Sequence, residues 1–231
     1  MNLSENTPEK INPLNVLGRL PPELSERLLA SERMVTLREG ETLFERGDAG
    51  DGCYWLRQGV VTVSVDSPDG EQRILAILGS GAIVGELAMI DGLPRSATVQ
   101  AVRNCVLTFV SRASFSDVLS RHPEVYNDIM VTLCARLRQS GEDMIASSFL
   151  PISARVARAL MEFARHLGED VGAGHVRIRH KVTQSDLAAM AGVARESVSQ
   201  TLATLTRQNI IEGSARGGYV VDVDKLRVAA R

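Results

Sequence analysis

Short apolar segments separated by turn residues constrain the fold of the first half of the chain more than any other feature. From Met34 onward, β-branched and aromatic residues occur in short or alternating runs, divided by turns such as Gly47-Asp48 and Pro68-Asp69-Gly70. Such runs are typical of strands. We predict strands at 35–37, 42–44, 54–56, 60–65, 74–78 and within 98–110. This spacing predicts an antiparallel barrel or sandwich that can hold a ligand inside, with residues 54–56 in its core.

The segment from Gly85 to Ala97, GELAMIDGLPRSA, has the chemistry of a loop that binds one small phosphorylated ligand. Gly85 allows the backbone to turn or approach a ligand closely. Arg95 offers a planar fork of donors that fits phosphate oxygens, and Ser96 adds a hydroxyl. Glu86 suits sugar hydroxyls instead, so we predict a nucleotide-like ligand. The alternative is a surface ion pair between Glu86 and Arg95 on a hairpin.

A long helix is predicted between the two halves of the chain. The segment from Glu124 to about Ser147 contains no proline and carries an apolar stripe at helical spacing. The stripe consists of Val125, Ile129, Leu133, Leu137 and Met144. It packs either on the strands or against a second copy of the chain. Pro151 is placed to start another helix over 152–167, which predicts a hinge at 147–151. Pro21-Pro22 similarly precedes a short predicted helix near the N-terminus.

The C-terminal third carries the pattern of a helix-turn-helix. Thr183 to Asp186 is typical of a helix start with a capping box, and Gly192 suits the tight turn before a second helix at about 195–207. In that second helix the spacing turns Val198, Leu202 and Leu205 inward. It turns four polar residues outward: Arg195, Glu196, Ser199 and Gln200. The alternative is a helical hairpin that packs only with protein.

These outward residues have the chemistry of a recognition helix. Arginine binds guanine, glutamate accepts from cytosine and glutamine suits adenine, while the N-terminal turn of such a helix meets the base edges. Apolar residues on both sides of Gly213–Gly218 predict a hairpin wing. Further DNA contacts, largely to phosphates, are predicted at Lys181, Thr183, Gln184, Arg207 and Arg216.

Composition narrows the function classes. Because the net charge is only −2, the chain as a whole does not attract DNA, and any DNA contact must come from a local basic patch. The 3 cysteines are dispersed, which disfavours a disulfide framework, and together with the 4 histidines they lack the clustering that a metal, iron–sulfur or haem site needs. We find no secretory signal, membrane span or catalytic constellation, and expect a cytoplasmic protein that is not an enzyme and binds neither metal nor membrane.

Gly85, Glu86, Leu87 and Ala88, followed by Arg95, Ser96 and Ala97, match the phosphate-binding cassette of cyclic-nucleotide-binding domains. The resemblance extends over nearly the whole chain, which is similar to the cAMP receptor protein and Fnr superfamily of bacterial transcription regulators. The R-E-x-V sequence that starts at Arg195 also matches the family's recognition helix. The resemblance implies an α+β fold with an antiparallel β-roll in residues 1–122, a dimerisation helix and hinge in 123–150, and a winged helix-turn-helix in 151–231.

The resemblance also implies cAMP as an allosteric ligand, a homodimer, a palindromic DNA site and contact with RNA polymerase in the nucleoid. Arg136 matches an arginine near the ligand. Ser140 keeps the first hydroxyl of a Thr-Ser pair that reaches the base in cAMP-responsive members, whereas Gly141 lacks the second, which leaves room for cGMP. The implied ligand site is Val84, Gly85, Glu86, Leu87, Ala88, Arg95, Ser96, Ala97, Arg136, Ser140 and Gly141.

Two alternatives stay open beside this interpretation. One is a superfamily regulator that has a different ligand or none. The other is a nucleotide-binding regulatory module without a DNA function, whose activity would survive deletion of residues 183–231.

Overall fold

The computed structural model describes residues 33–214 and 217–231. The helix predicted after Pro21-Pro22 and the DNA contact predicted at Arg216 therefore lie outside the described residues. Within these ranges the chain forms two compact units. The first contains the described residues up to Gly59 together with Gly79–Ser140, and the second contains Val60–Leu78 and Gly141–Arg231. The domain limits of 122/123 and 150/151 stay predictions.

The described part of the first half contains eight short strands, and all of them except β6 lie in segments that the sequence pattern predicted. They are β1 (Met34–Leu37), β2 (Thr42–Phe44), β3 (Gly52–Gln58), β4 (Val60–Asp66), β5 (Gln72–Gly79), β6 (Ile83–Val84), β7 (Thr98–Ala101) and β8 (Cys105–Ser111). In the first unit β1, β8, β3 and β6 form one sheet in this order. Strand β8 is antiparallel to β3, with Thr108 opposite Trp55, and β2 is antiparallel to β7.

Two helices of the first unit were not predicted. Helix α1 (Glu86–Asp91) replaces the loop expected between Gly85 and Ala97, because Gly85 and Gly92 adopt left-handed φ values of 78° and 77° and end one short helix on both sides. Helix α2 (Arg112–Arg121) begins after Ser111, whose hydroxyl accepts a hydrogen bond from the Ser114 amide at 3.1 Å. Both helices pack on β3 or β8 and so close one face of the sheet.

The long predicted helix is present as α3 (Val125–Phe149). Its apolar stripe divides into two parts. Val125 and Ile129 are buried in the core of the first unit, and Leu133 packs against the same core. Leu137 and Met144 are 75% and 69% exposed. The stripe therefore packs on the strands only over its N-terminal half.

The second unit contains the β4–β5 hairpin, whose turn is closed by a 2.9 Å hydrogen bond from the Ser67 amide to the Glu71 carbonyl. Its other elements are α4 (Ile152–Leu167), β9 (Gly168–Gly172), β10 (His175–Ile178), α5 (Gln184–Ala191), α6 (Arg195–Arg207), β11 (Ile211–Ser214), β12 (Gly218–Asp222) and α7 (Val223–Ala229). Strands β11, β12, β10 and β9 form an antiparallel sheet in this order. Strand β9 was not predicted, because its sequence, GEDVG, lacks an apolar alternation.

The α+β fold predicted from the sequence is confirmed: strands dominate the first half, and a helix-turn-helix with a β-hairpin wing lies in the last third. The apolar side of α4 forms much of the core of the second unit, with Val156, Leu160 and Phe163 buried. On the side of α6 away from its buried residues, Arg195, Glu196, Ser199 and Gln200 are exposed.

Candidate functional site

Arg95, the one cationic residue of the segment from Gly85 to Ala97, is buried, with 4% of its surface exposed. Its backbone is fixed to the turn after β2, because the Arg95 amide donates to the Asp48 carbonyl and the Gly47 amide donates to the Arg95 carbonyl, both at 2.8 Å. Its side-chain Nη1 donates to the carbonyls of Gly52 at 2.7 Å and Gly85 at 2.6 Å. The guanidinium therefore lies inside the roll rather than on its surface.

The Nε of Arg95 is buried and has no hydrogen-bond partner in the described part of the chain. Both hydrogen bonds that the side chain makes there start from Nη1, which leaves the edge formed by Nε and Nη2 for another acceptor. That edge is one of the two with which arginine binds a pair of oxygens of a phosphate or carboxylate. Since buried polar groups are nearly always paired, the geometry fits an anionic group next to Arg95.

Two glycines give this guanidinium its space. A Cβ atom at Gly85 would lie 2.5 Å from Nη1 of Arg95, and one at Gly50 would lie 3.1 Å from its Cζ. Both positions therefore require glycine, in addition to the positive φ of Gly85. The sequence analysis predicted that the backbone at Gly85 turns or approaches a ligand closely. It missed Gly50 and Gly52, because these glycines lie more than forty positions before Arg95 in the chain.

Aromatic rings cover the same guanidinium. Its Cζ lies 4.4 Å from the centre of the Phe44 ring and 5.8 Å from that of Tyr54. Burial raises the pKa of the Tyr54 hydroxyl, an effect opposed by the positive charge of Arg95. Tyr54 was predicted as a core residue, and the structure places it half-buried next to Arg95.

Glu86 forms an ion pair with Arg136 of α3, and not with Arg95 as the surface-pair alternative required. The carboxylate accepts from Arg136 Nη1, while Nη2 donates to the Ile83 carbonyl at 3.2 Å. Both side chains are mostly buried, at 11% and 23% exposed. Glu86, which was predicted to bind sugar hydroxyls, and Arg136, which was predicted to lie near the ligand, therefore contact each other directly. Their ion pair links α1 to α3.

The remaining predicted ligand residues differ in exposure. Val84, Ala88 and Ala97 are buried, whereas Leu87, Ser96, Ser140 and Gly141 are exposed. No hydrogen bond joins the hydroxyl of Ser96 or Ser140 to the part of the chain that the structure describes. A Cβ at Gly141 would meet nothing within 4 Å. The two hydroxyls at the base end of the predicted ligand site therefore have no hydrogen-bond partner among the described residues.

The helix-turn-helix has the geometry that its sequence predicted. Thr183 Oγ1 accepts from the Asp186 amide at 3.1 Å, and the Asp186 carboxylate accepts from the Thr183 amide at 2.7 Å. Gly192 ends α5 with a φ of 63°. Helix α6 buries Val198, Leu202 and Leu205. This support holds the opposite face of α6 in place.

The four outward residues of α6 are all exposed: Arg195, Glu196, Ser199 and Gln200. Lys181 is exposed as well, and Gln184 is partly exposed. The Thr183 hydroxyl donates to the Asp186 carboxylate at 2.7 Å, so its proton is already used within the helix cap. The local geometry thus presents one polar surface, consisting of the N-terminal half of α6 and the start of α5.

The described residues show neither a metal-binding cluster nor a membrane-spanning helix. Residues 33–214 and 217–231 contain no group of three or more His, Cys, Asp or Glu arranged to hold a metal ion. None of the helices in those ranges is both long and apolar enough to cross a membrane.

Comparison with known proteins matches both halves of the chain. The model of the cyclic nucleotide-binding domain matches residues 34–122, and that of the Crp-like helix-turn-helix domain matches residues 154–229. The chain is 31% identical over 195 residues to the cyclic AMP receptor protein of Thermus thermophilus, which covers 84% of the chain and 86% of that relative. It is 27% identical over 197 residues to a CRP-like cAMP-activated global transcriptional regulator of Mycobacterium tuberculosis, covering 85% and 88%.

The fold comparison agrees. A c-di-GMP-responsive global regulator of Xanthomonas campestris superposes with a TM-score of 0.75 at 22% identity, over 87% of this chain and 99% of the other. The name of the Mycobacterium relative identifies that protein as a transcriptional regulator. The chain belongs to the cAMP receptor protein and Fnr superfamily of bacterial transcription regulators, and it is a cyclic-nucleotide-binding member with a helix-turn-helix.

Proposed function

We propose that this protein is a cAMP-responsive, homodimeric transcription regulator that binds a palindromic DNA site. The observation that carries the proposal is the buried Arg95, whose Nε has no partner in the described chain and whose free edge fits a cyclic phosphate. The names of the Thermus and Mycobacterium relatives, which refer to cAMP, favour this nucleotide.

Glu86 and Arg136 provide the route from ligand to helix in this proposal. A ribose hydroxyl that donates to the Glu86 carboxylate competes with Arg136, or shares the carboxylate with it, because the two side chains already form an ion pair. Arg136 lies on α3, so nucleotide binding changes the interactions that hold α3 on the roll. The ligand then shifts the population between arrangements of the two helix-turn-helix regions according to its affinity for each.

An exposed apolar row along α3 supplies the dimer contact in this proposal. Met130, Leu137 and Met144 recur every seven residues along the helix and are 57%, 75% and 69% exposed. A seven-residue apolar repeat is typical of two helices that pack in parallel. Two-fold symmetry of the dimer then places two copies of α6 in successive major grooves, with half-sites about one helical turn apart. RNA polymerase is the further partner that we propose.

The test is a titration of the purified protein with cAMP and with cGMP, monitored by calorimetry and by fluorescence anisotropy of a palindromic duplex. We expect cAMP to bind and to strengthen duplex binding. Binding of neither nucleotide would refute the ligand, and unchanged duplex affinity with bound nucleotide would refute the coupling. Sedimentation of the same samples gives the oligomeric state, and a monomer at duplex-binding concentrations would refute the dimer.

A second ligand, cGMP, is favoured by two observations at the base end. The Ser96 hydroxyl is exposed, and Gly141 leaves open space where a side chain would otherwise lie. A serine hydroxyl is able to donate to the guanine edge. Binding of cAMP with no binding of cGMP at millimolar concentration in the same calorimeter would exclude it.

A further inference from the structure

The guanidinium of Arg95 is buried without a carboxylate partner in the described chain. A buried cation is strongly disfavoured unless other groups replace its water. Two carbonyls do so at Nη1, those of Gly52 and Gly85. Among the described residues, the ring faces of Phe44 and Tyr54 are further electron-rich groups beside it, with their centres 4.4 and 5.8 Å from Cζ.

The two rings are themselves held in place. Their centres lie 6.0 Å apart, and the Tyr54 ring lies 5.2 Å from that of Phe109. Phe44 is on β2, while Tyr54 and Phe109 occupy opposite register positions on β3 and β8. Since paired strands carry these aromatic side chains, the rings form a fixed wall rather than a mobile cover.

The groups around Arg95 also fix the orientation of its guanidinium plane. Nη1 donates to two carbonyls, which uses both of its hydrogens. Gly50 lies so close that a Cβ there would be 3.1 Å from Cζ and 3.2 Å from Nε. The cation–π attraction of the Phe44 ring holds the guanidinium over the face of that ring. The Nε and Nη2 edge is therefore the part of the guanidinium that remains for a ligand.

We infer that Phe44 and Tyr54 are positioning residues, which hold the guanidinium of Arg95 by their ring faces so that its Nε and Nη2 edge meets the phosphate of the nucleotide. The inference rests on the proposed function, because it concerns the same phosphate. Phe44 has the larger role, since its ring is the nearer one. The Tyr54 hydroxyl has no part in it.

The experiment is a double-mutant cycle on the full-length protein, with cAMP affinity measured by calorimetry. Phe44→Leu keeps an apolar side chain but removes the ring face, and we expect cAMP to bind about tenfold more weakly. In the Arg95→Gln background the same change has no further effect, because the ring then has no cation to hold. A merely structural role of Phe44 would weaken binding equally in both backgrounds, and that result would overturn the inference.

Two conservative variants complete the test. Phe44→Tyr and Tyr54→Phe keep both ring faces, so wild-type affinity is expected, and they report on the same inference even when Phe44→Leu fails to fold. A tenfold loss in Phe44→Tyr or Tyr54→Phe would overturn the role of the ring faces. If the wild-type protein binds no cyclic nucleotide, the proposed function fails and this inference fails with it. If the wild type binds cAMP and Phe44→Leu binds it equally well, only the inference fails.

Discussion

The nucleotide region and the DNA region of this protein present their functional groups in opposite ways. Arg95 is 4% exposed and held by backbone carbonyls, glycines and aromatic rings. Arg195 is exposed on α6, and its support lies beneath the helix in buried Val198 and Leu202. Affinity in the first region thus depends on what surrounds the cation, whereas in the second it depends on what holds the helix from below.

The largest expected effect tests the support of the DNA region. Leu187 of α5 is fully buried, and Leu187→Ala should lower the free energy of unfolding by about 3 kcal/mol, because it removes apolar contacts and leaves a cavity. Urea unfolding measures this loss. Ser185→Ala, at an exposed position of the same helix, is the control and should change stability by less than about 0.5 kcal/mol. Equal stabilities would mean that α5 does not depend on this core.

The second effect concerns the buried cation. Arg95→Gln should weaken cAMP binding about 100-fold, because charged hydrogen bonds to the phosphate are lost, and calorimetry checks it. Arg138→Gln, an exposed position on α3, is the matched control and should bind normally. Undiminished affinity in Arg95→Gln would remove Arg95 from the phosphate role and with it the contrast between the two regions.

The third effect concerns Arg195, which is exposed on α6. Arg195→Ala should cost about 1–3 kcal/mol of affinity for a specific palindromic duplex, because a bidentate base contact is lost. Anisotropy titrations with the specific duplex and with random DNA measure both affinities. Since exposed Arg195 supports nothing, thermal unfolding should not change. An equal loss on random DNA would identify Arg195 as a phosphate contact.

The smallest effect sharpens the assignment of Thr183. Its hydroxyl caps α5 through Asp186, so Thr183→Ala should lower the free energy of unfolding by about 1 kcal/mol. Thr183→Ser keeps the hydroxyl and should retain stability. If Thr183→Ala instead weakens DNA binding at unchanged stability, the hydroxyl contacts DNA as the sequence suggested.

The DNA region was predictable because its determinants are local. A capping box, a turn glycine and inward apolar residues fall within one continuous segment, and the predicted limits of 195–207 for the second helix match α6. The surroundings of Arg95 were not predictable in the same way. Gly50, Gly52 and Phe44 come from earlier parts of the chain and meet Arg95 only when the strands pair. No periodicity in the sequence carries that information.

Helices α1 and α2 show a second limit of sequence patterns. Six residues between two glycines are too few for a helical stripe, and the left-handed φ values of Gly85 and Gly92 that bound this helix cannot be read from the sequence. Helix α2 follows β8 directly, and its start depends on the Ser111 cap. The Ser111–Ser114 spacing was the available local signal, although serine residues at this spacing are common outside caps.

The position of Trp55 has a practical consequence. It is the only tryptophan of the chain, and it packs against the core cluster that contains Val125 and Ile129 of α3, with the Arg57 guanidinium 4.0 Å above its ring. Indole emission depends on the polarity around the ring. The unlabelled protein therefore carries its own spectroscopic probe of how α3 lies on the roll, and the probe is separate from the Arg95 side chain that is expected to meet the nucleotide.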